Sequence, residues 1–171
     1  RVAELHDVEL HETPVGFKFI GELINENAIV LGGEESAGLS IRGHYPEKDG
    51  ILACLLAAEA VAERKASLGE QLEELYRKTG KLESERIGVK LDEEIAAKLK
   101  TKLAEDPKEI AGRRIRGVNR LDGVKFLFEA GSWILMRPSG TEPMVRIYAE
   151  SESREELNEL LEAGESYLLG H

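Results

Sequence analysis

The stretch Arg137-Pro138-Ser139-Gly140-Thr141-Glu142-Pro143, with Arg146 shortly after it, has the residue types needed to hold an anion. A planar guanidinium donates two parallel hydrogen bonds to a pair of phosphate oxygens. Ser139 and Thr141 add hydroxyl donors, and Gly140 lets backbone amides approach without a side chain in the way. Pro138 and Pro143 restrict the loop, so less freedom is lost when a ligand binds. Charge-assisted bonds contribute roughly 1.5–3 kcal/mol each. Four or five of them, less the cost of association, give micromolar to millimolar binding. The same residues also suit a polar hairpin loop in which Ser, Gly and Pro do no more than turn the chain.

A second cluster is Gly32-Gly33-Glu34-Glu35-Ser36-Ala37-Gly38, at the carboxyl end of an apolar run. In sheets flanked by helices, ligands sit at strand carboxyl ends. A carboxylate at Glu34 accepts hydrogen bonds from two neighbouring sugar hydroxyls, and Ser36 donates or accepts beside it. The alternative is a pair of solvated loop glutamates. His44-Tyr45-Pro46-Glu47-Lys48-Asp49-Gly50 closes the same loop. Lys48 there either faces an anion or transfers a proton, or is an ordinary exposed lysine. His44 is equally open, and it shares no metal-ligand spacing with His6, His11 or His171.

The elements that must position these loops fall into two groups. In the first, alternation over Val8–Thr13 reads as a half-buried strand, followed by a helix from Val15 to about Asn25. Ala28–Leu31 reads as a buried strand and Gly33 to about Lys48 as a loop. Asp49 caps a helix that is apolar nearly all round, which implies burial on most sides. Ser67-Leu68-Gly69-Glu70 has capping-box spacing and opens the next helix. Gly80 and the polar residues to Arg86 form the linker and candidate hinge. In the second group, Ile87–Leu91, Ile115–Asn119, Gly123–Glu129, Ser132–Met136 and Met144–Glu150 read as strands. Asp92–Ala104 and the segment from Ser153 onward read as helices. Arg113, Arg114 and Arg116 read as charge that protects a strand edge.

Lys plus Arg number 23 against 33 Asp plus Glu, a formal charge of −10. That balance repels phosphate backbones and anionic lipid, which argues against nucleic acid or membrane partners. The lone Cys54, in an apolar stretch, reads as a buried free thiol in a reducing, cytoplasmic compartment. No apolar run reaches membrane-spanning length, and no signal peptide is visible. The start at Arg1 reads as the mark of a fragment, a trace that tag removal would also leave.

Thr13-Pro14-Val15-Gly16-Phe17-Lys18, Gly33–Gly38 with Lys48-Asp49-Gly50, and Arg137–Pro143 occur in that order along nearly the whole chain. Together they resemble the α-D-phosphohexomutase superfamily, which includes phosphoglucomutases and phosphomannomutases. The resemblance implies α/β plus α+β architecture. Residues 1–80 would be the latter part of the sugar-binding third domain. Residues 84–171 would be the phosphate-binding fourth, with a four-stranded, mainly antiparallel sheet and helices on one side. It implies sugar contacts from Glu34 and Ser36, roles beside the sugar for Gly16 and Phe17, and Lys48 near the reacting groups. Arg137, Ser139, Gly140, Thr141 and Arg146 would hold the phosphate that is not being transferred, and the fourth domain would act as a lid.

The family's Ser-His-Asn-Pro phosphoserine loop and Asp-Gly-Asp-Gly-Asp metal loop have no counterpart in these 171 residues. Mg²⁺ and hexose 1,6-bisphosphate are therefore implied for a complete enzyme, with neither bound by this fragment. The chain alone is expected to be inactive, and its partners are a phosphosugar and the missing N-terminal domains. Glutamates in the sugar loop resemble glucose-preferring members, with mannose phosphates next. An uncovered sheet edge in the first domain invites self-association. Two competing functions are a free-standing phosphosugar-binding or regulatory module and a protein-interaction domain whose loops are only turns.

Overall fold

The computed structural model describes residues 1–129, 131–140 and 142–170; within one helix Glu93, Glu94 and Lys98 are described for their backbone alone. The chain divides into two compact units, Arg1–Gly80 and Lys81–His171.

The first unit holds α1 (Val2–Leu5), α2 (Phe17–Asn25), β1 (Leu31–Gly33), β2 (Leu39–Ile41), α3 (Gly50–Arg64) and α4 (Leu68–Thr79). Its small core forms on α2, where Phe17, Ile20 and Ile24 repeat at helical spacing and pack with Ile29. β1 and β2 pair antiparallel, Leu31 opposite Ile41 and Gly33 opposite Leu39. Asp49 caps α3 through Oδ1, which accepts from Ile51 N at 2.9 Å and Leu52 N at 3.2 Å. α3 and α4 are tied by Gln71 Nε2, which donates to the carbonyls of Ala60 and Ala66, and by an Arg64–Glu74 ion pair.

Several expectations for this unit are corrected. Val8–Thr13 forms no strand; Val8 and Leu10 are exposed, and nothing pairs with that backbone in a sheet among the described residues. Val30 and Leu31 are exposed rather than buried, and the loop from Gly33 to Lys48 contains β2. α3 has no buried residue, with Ile51 75% and Leu55 64% exposed, and Cys54 is exposed as well. Apolar composition reports what a segment could bury and not what covers it.

The capping box at α4 is complete: Ser67 Oγ accepts from Glu70 N, and the Glu70 carboxylate accepts from Ser67 N at 2.8 Å. Ser67→Ala should lower stability by about 1 kcal/mol in chemical denaturation, because it orphans a first-turn N–H. Acid acts on the same unit. The Ser67 hydroxyl holds Glu70 below its ordinary value, the Lys78 ammonium does so for Glu74, and His44 for Asp49. Depressed carboxyls contribute stability above their unfolded values, and it is lost as pH falls through the lower folded ones. Thermal unfolding midpoints should therefore hold near neutrality and fall below about pH 4.5.

The second unit runs β3 (Glu83–Lys90), α5 (Glu93–Ala104), β4 (Glu109–Ile110), β5 (Arg113–Asn119), β6 (Val124–Phe128), β7 (Trp133–Pro138), β8 (Met144–Ser151) and α6 (Arg154–Leu169). The strands form one sheet in the order β3-β8-β7-β6-β5-β4, every neighbouring pair antiparallel. Residues alternate between the faces. One face carries Val124, Phe126, Ile134, Met136, Val145 and Ile147, all fully buried, against Leu157 and Leu160 of α6. Leu99 of α5 joins that cluster, so both helices lie on one side, as expected. The sheet is wider than four strands. β3 pairs with β8 over eight residues, and β4, two residues long, is too short for any alternation to show. β5 pairs with β4 only at Arg113 and Arg114, and Arg113 Nη2 donates to Glu159 at 2.5 Å.

Among the described residues no helix is long and apolar enough to cross a membrane.

Candidate functional site

In the second unit the site is built on the β7–β8 hairpin. Its register sets Arg137 directly opposite Arg146, with Met136 opposite Ile147 on the next step. Cross-strand partners share a face, so the two arginines project together from the side opposite α6, while Met136 and Ile147 enter the core. The hairpin is closed by Ser139 N donating to Met144 O at 2.9 Å and Met144 N donating to Glu142 O at 2.8 Å. Ser139 Oγ accepts from Glu142 N at 3.3 Å. A Cβ placed on Gly140 would meet no described atom within 4 Å, so space lies open beside that backbone. Thr141 lies outside the described residues.

Each arginine has a carboxylate beside it that the sequence did not single out. Glu142 Oε2 accepts from Arg146 Nη2 at 3.0 Å, and that bond, ahead of one with Tyr148, raises the guanidinium above its ordinary value. Asp122 Oδ2 lies 2.9 Å from Arg137 Nε. That nitrogen is buried and has no aligned hydrogen bond, so the contact is an ion pair off the N–H direction. Asp122 stands just before β6 and Arg137 near the end of β7, and only the β6–β7 register brings them together.

In the first unit Glu34 follows β1 and Lys48 precedes the cap of α3. The Lys48 ammonium donates to Glu34 Oε2 at 3.2 Å, with the Glu34 side chain 15% exposed and that of Lys48 54%. Lys48 crosses directly over Gly38, where an added Cβ would meet its Cδ at 2.9 Å. His44 Nε2 lies 2.9 Å from Asp49 Oδ2, the oxygen left over from the helix cap. The structure thus joins Glu34 and Lys48, two candidates that are 14 residues apart in the chain. Ser36 is exposed at the tip of the turn. Gly16 is the residue before α2. Phe17 is 4% exposed and packs in the core of the unit, where it anchors α2.

These two loop systems lie in segments that match known families. Residues 1–79 match the model of the phosphoglucomutase/phosphomannomutase alpha/beta/alpha domain III, and residues 60–164 that of the phosphoglucomutase/phosphomannomutase C-terminal domain. The chain belongs to the phosphoglucomutase/phosphomannomutase family. A Komagataeibacter xylinus phosphoglucomutase is 36% identical over 88% of this chain and 30% of its own length. A Thermococcus kodakarensis phosphoglucomutase/phosphomannomutase is 28% identical over 95% of this chain and 34% of its own. A solved structure from Thermus thermophilus, described as a putative phosphomannomutase, superimposes with a TM-score of 0.77 at 36% identity, covering 99% of this chain and 33% of that one. The chain therefore spans about a third of the length of the relatives it matches. The region concerned is the C-terminal part of the phosphohexomutase superfamily, whose enzymes are isomerases.

Proposed function

We propose that this chain supplies the sugar and phosphate contacts of a phosphohexomutase interconverting hexose 1-phosphate and hexose 6-phosphate, glucose phosphates first and mannose phosphates next. The observation that carries it is the pairing of Arg137 with Arg146 across the hairpin beside the open backbone at Gly140. Two guanidinium groups on one face offer charged donors to a phosphate, while Ser139 and the loop amides orient its oxygens. Glu34 accepts from sugar hydroxyls, and Lys48, already bonded to it, holds that carboxylate in place and offers a proton or a positive charge to the phosphosugar.

The complete reaction proceeds through a phosphoserine and a hexose bisphosphate, with the serine supplied by the N-terminal domains. The same phosphate grip must then serve the sugar in both orientations. Mg²⁺ supplies charge neutralisation in that chemistry. Among the described residues no group of three or more His, Cys, Asp or Glu side chains is placed to hold a metal ion. In the complete enzyme a segment outside these residues would hold the ion. We place the protein in the cytoplasm, where hexose phosphates are held.

Calorimetric titration of the chain with glucose 1-phosphate, glucose 6-phosphate and plain glucose tests this. Both phosphates should bind in the micromolar to millimolar range and compete with inorganic phosphate, and glucose should not. Equal binding of glucose, or none of the three, would remove the phosphate grip. With glucose 1,6-bisphosphate added, the chain alone should give no mutase turnover above buffer; measurable turnover would show that it carries its own phosphoryl donor.

A further inference from the structure

The β6–β7 register pairs Val124 with Met136, and one step further along it Gly123 comes to lie beside Arg137. Gly123 has φ +81, and a Cβ there would stand 2.3 Å from Met136 O and 3.0 Å from Arg137 Cα. The Asp122-Gly123 turn is thus pressed against the backbone that carries the arginine, in a conformation that side chains rarely adopt. Its aspartate reaches the guanidinium from the Nε side at 2.9 Å, with both side chains mostly covered, 19% exposed for Arg137 and 29% for Asp122. Arg146, the other flank, is tied to Glu142 instead. An arginine side chain has four rotatable bonds and loses considerable freedom when fixed. A carboxylate beside Nε draws the guanidinium toward that edge by charge, as an ion pair off the N–H direction.

We propose that Asp122 is a positioning residue: it orients Arg137 so that the two Nη groups meet the ligand phosphate together, and its effect on the ligand passes through Arg137. This rests on the phosphate-grip reading given above. The aspartate carries negative charge toward an anion site, so its net effect is favourable only because the preorganised fork gains more than the added repulsion costs.

The test is a double-mutant cycle on binding of glucose 1-phosphate and inorganic phosphate, with Asp122→Asn, Arg137→Met and the pair. Asp122→Asn should weaken binding about tenfold, the equivalent of one impaired charge-assisted bond. It should add nothing once Arg137 is Met. An equal loss in both backgrounds, or a loss under twofold, overturns the proposal. A second readout needs no ligand: nuclear magnetic relaxation of the Arg137 Nε–H should show restricted motion in the parent chain and release in Asp122→Asn, with Arg146 unchanged. An Arg137 Nε as mobile in the parent as in the variant overturns the proposal even if binding is lost. If the parent chain binds no phosphate while Arg137 is restricted and released as stated, the grip reading fails and the orienting contact stands.

Discussion

Arg137→Ala should lower the affinity of the chain for glucose 1-phosphate by about 100-fold or more. Two charge-assisted hydrogen bonds at roughly 1.5–3 kcal/mol each are removed, and about 1.4 kcal/mol corresponds to tenfold. The substitution also leaves Asp122 facing the phosphate without the cation now 2.9 Å from it, which adds repulsion to the lost attraction. Arg137→Lys keeps the charge and loses the fork, so it should fall between the two, about tenfold weaker than the parent. Arg146→Ala should cost less, because that guanidinium already spends one Nη on Glu142. Calorimetric titration measures all three, with thermal unfolding run alongside. Affinities within twofold of the parent for Arg137→Ala would remove the hairpin from phosphate binding.

Phe126→Ala should destabilise the second unit by about 3–5 kcal/mol, a large part of the whole stability of a domain this size. Phe126 is fully buried at the centre of the sheet and meets Tyr167 of α6 edge-to-face, ring centroids 5.9 Å apart at 77°. Its removal opens a cavity beneath β7 and loosens the contact that seats α6. The single tryptophan, Trp133, lies on β7, where its Nε1 donates to Glu150 at 2.9 Å and Lys125 sits over its ring. Its fluorescence therefore follows this unit, and urea midpoints read the loss directly. A shift worth less than about 1 kcal/mol would mean the sheet repacks around the gap.

The second unit is largely legible from its sequence because its chemistry is local. β6, β7 and β8 alternate cleanly, and their short turns leave only antiparallel pairing open. Asp49 and Ser67 cap the helices assigned to them, and Asp92 and Ser153 cap the helices that they open, since a cap is a contact between near neighbours in the chain. The first unit is less legible. Alternation at Val8–Thr13 and the apolar girth of α3 describe surfaces that bury only when other segments supply the partner, so pattern alone overstates their burial. The core position of Phe17 is not legible, because a motif shows which residues lie together and not which way a ring points. Asp122 carries only the ordinary signal of an Asp-Gly turn. Its closeness to Arg137 comes from strand register, a long-range property that composition does not encode.

That register restricts how this hairpin can vary between related proteins. Side-chain direction has a parity of two, so sliding β8 past β7 by one residue would carry Val145 to the ligand side and Arg146 into the interior. Substitutions in residues 139–143 can retune the grip piecemeal, but a length change there is tolerated only if the strands keep their even-step alignment. Insertions and deletions among relatives should therefore collect away from this hairpin, such as at 105–108 between α5 and β4, where neither arginine depends on the count.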